Sequence, residues 1–69
     1  MNPQDPYVID MKRMLAAGRA WLRDNPDATV DDPHLGDVMD RATKTGSSGA
    51  QQMVVKNQLR REFSGRSRQ

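Results

Sequence analysis

Apolar residues recur along this chain in three stretches, set apart by proline, glycine and aspartate. In the first, residues placed at about 100° steps bring Tyr7, Met11, Met14, Leu15, Gly18, Trp21 and Leu22 onto one arc. Lys12, Arg13, Arg19 and Arg23 fall on the other side, together with a weaker apolar strip of Ile9, Ala16 and Ala20. The spacing predicts an amphipathic helix from about Pro6 to Asp24, ended by Asn25-Pro26. Gly18 lies inside the apolar arc. It is either a tolerated helix glycine, costing about 1 kcal/mol, or the site of a close helix–helix crossing.

The second stretch places Leu35, Val38, Met39 and Ala42 on one face at i, i+3, i+4 and i+7, and predicts a helix from about Pro33 to Lys44. Gly36 and Thr43 make it weak in isolation. In the third, Val55, Leu59 and Phe63 repeat every four residues, while Met53 and Val54 fall off that stripe. This predicts a helix from about Ala50 to Phe63. Ser48 with Gln51 three residues on fits a capping box at its start.

Each of the four prolines follows Asn or Asp. An Asx side chain accepts from orphan N–H groups, and proline suits the first helical position. Asp5-Pro6 and Asp32-Pro33 therefore read as helix starts. Residues 25–32 form a loop that Val30 anchors, and residues 45–49, TGSSG, form a flexible connector. The expected fold is all-α: a compact three-helix domain with a basic C-terminal tail. Residues 1–5 lead in, residues 6–63 form the single domain, and residues 64–69 are the tail. Trp21, Leu35, Leu59 and Phe63 are the expected centre of packing, with the third helix either joining that core or projecting from it.

Composition adds a stability argument. Of the 69 residues, 24 are apolar, but six of these are alanine and five are methionine, and mean hydropathy is −0.91. A chain this short buries only about 60% of its unfolded surface. Its stability is expected to be small, and a partner that buries more apolar surface adds to it. With no cysteine, disulfides and thiolate zinc sites are excluded. No apolar run approaches the ~18 residues of a membrane span. The opening, MNPQDPYVID, lacks the pattern of a secretory signal. The expected location is the cytoplasm, or a viral particle or other assembly.

Charge is unevenly distributed although the net value is only +2. Six aspartates lie between Asp24 and Asp40 with no Lys or Arg among them. From Ala50 onward, Lys56, Arg60, Arg61, Arg66 and Arg68 face a single acid, Glu62. Such opposed patches steer partners of opposite sign.

Catalysis is not expected. His34 is the only histidine, no nucleophile-elbow glycine–serine pattern occurs, and the core is too small for a shaped dry pocket. Asp31, Asp32, His34 and Asp37 cluster as N/O ligands would, but capping by Asp32, a helix-dipole role for Asp37 and an exposed His34 explain them better. No metal and no cofactor are assigned. The glycine–serine connector lacks the Lys of a nucleotide loop.

The leading expectation is a small non-enzymatic protein that acts through protein–protein interaction, as an assembly component or as a regulator or inhibitor of its partner. Tyr7, Met11, Met14 and Trp21 are its candidate contacts, because helix-in-groove recognition needs anchors at helical spacing. The alternative is a DNA-binding regulator using a helix-turn-helix-like pair of the second and third helices. Gln52, Lys56, Arg60, Arg61, Arg66 and Arg68 would then meet nucleic acid. A membrane partner is not expected, and self-association is left open.

Overall fold

The computed structural model describes residues 5–43 and 46–64. Three helices follow in order: α1, Pro6–Asp24; α2, Pro33–Arg41; and α3, Gly49–Glu62. No strand occurs among the described residues, and the helices form a compact all-α globule with a Cα radius of gyration of 11.6 Å.

The helix starts follow from the capping chemistry. Asp5 Oδ1 accepts the Tyr7 N–H at 2.9 Å, and Asp32 Oδ1 accepts that of His34 at 2.9 Å. In both cases the following proline occupies the first turn, where its missing N–H costs nothing. At α3 the capping box is complete. Ser48 Oγ accepts from Gln51 N, and Gln51 Oε1 accepts from Ser48 N. Asn25 ends α1: its backbone N–H and its side-chain amide both donate to the Trp21 carbonyl.

α2 stops at Arg41, short of Lys44. Its last turn tightens: the Ala42 N–H reaches the Met39 carbonyl, and the Thr43 N–H and hydroxyl reach that of Asp40. The chain then turns at Gly46, whose φ of +81° lies in the left-handed region that favours glycine. Asp40 holds this turn from the helix side, with Oδ1 accepting from both the N–H and the hydroxyl of Ser47. Lys44 lies outside the described residues.

The core comprises Met14, Leu22, Val30, Leu35, Met39, Val55 and Leu59. Leu35 and Leu59 take their expected central places. Trp21 and Phe63 do not: both are half-buried and pack on the rim. The arc of α1 is centred on Gly18, which puts the bulky indole on its flank and the slimmer Met14 and Leu22 inside. Val30 is the anchor of its loop, with 1% of its surface exposed. Ala16 and Ala20 stay exposed, so the weaker strip on α1 buries little.

Gly18 is the close-crossing glycine. A Cβ there would stand 2.7 Å from Leu59 Cδ1 and 3.5 Å from Leu35 Cδ1. Both other helices thus press their leucines against the bare backbone of α1. α2 and α3 each pack chiefly on α1 and touch one another only weakly. α3 packs onto the core and does not project from it.

Candidate functional site

α1 and α3 run in the same direction. The Gln51 side chain reaches the Tyr7 carbonyl at one end of their seam, and Arg19 meets Glu62 at the other. Between those contacts α1 advances about 18 Å. Along this seam lies a shallow groove of about 300 Å³. Its walls are Val8, Met11 and Leu15 from α1 and Val54 and Val55 from α3, with Lys12 and Gln58 as the polar members. Val54 is 49% exposed.

A polar clamp closes one end. Arg19 Nε donates to Glu62 Oε1 at 2.7 Å and Nη2 to Oε2 at 2.6 Å, a bidentate pair. Gln58 Nε2 adds a third bond to Glu62 at 2.8 Å. Hydrogen bonding to Arg19 first, and then to Gln58, holds the Glu62 carboxyl down at about 2. Its charge is therefore taken up within the clamp. Lys12 and Arg61 have no acidic partner among the described residues. Arg61 follows Gln58 by three positions and Val54 by seven, which places it on the same strip of α3. The seam is thus an apolar floor beside uncompensated positive charge.

The four contacts expected from the first apolar arc do not form one surface. Met14 is wholly buried and offers nothing to a partner. Met11 walls the groove, and Tyr7 is 43% exposed at the start of α1. Trp21 sits on the opposite flank, in a cleft with Asp24, Asp27, Ala28 and His34. All four lie on one arc of α1, but that arc faces the core: Met14, Gly18 and Leu22 along its middle are consumed there, leaving Trp21 at its edge. The groove residues Val8, Leu15 and Val54 were not among the expected contacts. Their signal was present in Val54, an apolar residue off the stripe of its own helix.

The basic candidates divide as well. Gln52, Lys56 and Arg60 align along the outer side of α3, beside Met53 and Asn57. Two of the three are already engaged. Gln52 Nε2 donates to Ser47 Oγ, and Arg60 donates to Asn57 Oδ1 and to Asp31 Oδ1 at 3.1 Å. Arg61 lies round the helix on the groove side, and Arg66 and Arg68 lie outside the described residues. α2 and α3, the pair the alternative reading relies on, both pack chiefly on α1 and touch one another weakly.

No group of three or more metal-ligating side chains converges among the described residues. His34 Nδ1 instead meets Asp32 Oδ1 at 2.9 Å. Hydrogen bonds from the His34 backbone N–H and then its ring lower the Asp32 pKa. No helix among the described residues is long and apolar enough to cross a membrane. The chain matches no family model, no curated protein and no solved structure.

Proposed function

We propose that this chain is a small protein-binding module, an assembly component or a regulator of a larger protein, and that it docks through the α1/α3 seam. The observation that carries this reading is Val54, half exposed beside the apolar walls contributed by Val8, Met11 and Leu15. The core among the described residues is small, seven apolar side chains, so the fold's own stability is expected to be modest. Covering the seam would stabilise fold and complex together.

The test is capture of partners by tagged protein, with and without nuclease, alongside two variants. Val54→Glu places a charge in the groove, and Met53→Glu places one on the outer side of α3. Both positions are exposed, so both variants should fold. The expected result is a stoichiometric protein partner that survives nuclease and Met53→Glu but is lost with Val54→Glu. Capture that disappears wholly on nuclease treatment would overturn the reading in favour of the outer strip, Gln52, Lys56 and Arg60, acting on nucleic acid. Capture indifferent to Val54→Glu would overturn the seam as the docking surface.

A further inference from the structure

We infer that the occupant of the α1/α3 seam is an amphipathic helix with acidic flanks, supplied by another protein and lying along the seam as a fourth helix. The inference rests on the docking reading above and adds the chemistry of the partner. Two parallel helices leave between them a furrow with the shape of a third cylinder, and ridge-into-groove packing sets a helix there 8–10 Å from each axis. The groove's α1 wall runs from Val8 to Leu15, about 10 Å or roughly two turns of helix. Its walls are aliphatic and methionine side chains, with no aromatic platform and no unpaired backbone edge, so neither a stacked base nor an added strand finds its usual partner.

Charge selects the partner's flanks. Lys12 lies at the groove and Arg61 on the adjoining strip, both without an acid of their own among the described residues. Glu62, the carboxylate beside the seam, is held by Arg19 and Gln58. A helix bearing Asp or Glu beside its apolar stripe would pair these cations, whereas a basic helix would be repelled. A second copy of this chain is disfavoured on the same ground, since a two-fold contact across the seam sets Lys12 and Arg61 against their own copies. The chain's own terminus is the wrong chemistry too: residues 64–69, SGRSRQ, carry two arginines and no apolar side chain.

The experiment displays a library of helical peptides against the full-length protein. Apolar anchors are fixed at i, i+4 and i+7, and the flanking positions are drawn from Asp, Glu, Gln, Lys and Arg. Clones are counter-selected against Val54→Glu. The expected outcome is enrichment of peptides with net acidic flanks. Their binding should weaken at least tenfold in the Lys12→Glu/Arg61→Glu double variant, and peptide with Lys for Glu should then bind that variant better. Methyl shifts should concentrate on Val8, Leu15, Val54 and Val55. Enrichment without acidic bias, enrichment of basic flanks, or no enrichment would each overturn the inference. So would tighter binding of anionic vesicles at the same methyls, which would mark a lipid surface, or a concentration-dependent dimer that shields them. If the library fails while Val54→Glu still abolishes capture of a natural partner, the docking reading stands and only the acidic helix falls. If Val54→Glu leaves that capture intact, the docking reading itself falls.

Discussion

Replacing Gly18 by alanine sets two opposing effects against each other, and the structure decides between them. Alanine is favoured over glycine inside a helix by about 1 kcal/mol. Against this, the new methyl would lie 2.7 Å from Leu59 Cδ1. Leu59 has no exposed surface and is enclosed by the rest of the core, so its tip has nowhere to go. Relief requires an off-rotamer leucine or a wider α1–α3 spacing, and overpacking of this kind costs about 1–3 kcal/mol. The net expectation is a loss of about 1 kcal/mol. Gly36→Ala provides the contrast. It gains the same helix preference, but its Cβ meets only the end of the Gln52 side chain, at 3.4 Å, at a half-buried position. It should stabilise the fold by somewhat under 1 kcal/mol. Urea unfolding of both variants, followed by circular dichroism, measures the difference as midpoint shifts at constant slope. In thermal melts 1 kcal/mol corresponds to about 4–8 °C for a domain of this size. Adding Leu59→Val to Gly18→Ala should cost less than the two single losses together, because the clash partner has been shortened. If both glycine variants raise stability equally, the crossing of α1 and α3 is not set by Gly18 and the argument fails.

Two further outcomes concern caps and pH. Asp5→Ala and Ser48→Ala should each cost about 1 kcal/mol, because each leaves an orphan helix N–H without its side-chain acceptor; unchanged urea midpoints would show that these bonds contribute nothing. The Glu62 carboxyl lies at about 2 in the fold against an ordinary 4.5, so its contribution is complete above 4.5 and is lost as pH falls through 2. Asp32 acts in the same sense. Glu62→Gln should therefore flatten part of the acid limb of stability against pH, and an unaltered limb would show that the clamp with Arg19 does not form.

Local chemistry alone settled the three helices and their starts. A carboxylate or hydroxyl before a first turn, and proline within it, act over three or four residues, so Asp5, Asp32 and Ser48 announce their helices wherever the chain goes. Gly18 was legible as a choice between a tolerated glycine and a crossing point, because its position on the apolar arc follows from helical spacing. What lay beyond the sequence depended on which helices meet and in which direction. Trp21 and Met14 occupy the same apolar arc, yet one borders an acidic cleft and the other has no exposed surface. α2 ends at Arg41, and beyond it Asp40 accepts from Ser47, a contact seven residues apart that helical periodicity does not encode. The α1/α3 seam was least visible of all. Arg19 and Glu62 stand forty-three positions apart, and only parallel packing brings them together to close one end of the groove. Periodicity tells which face of a helix is apolar; tertiary packing alone decides how much of that face is consumed by the core and how much is left exposed.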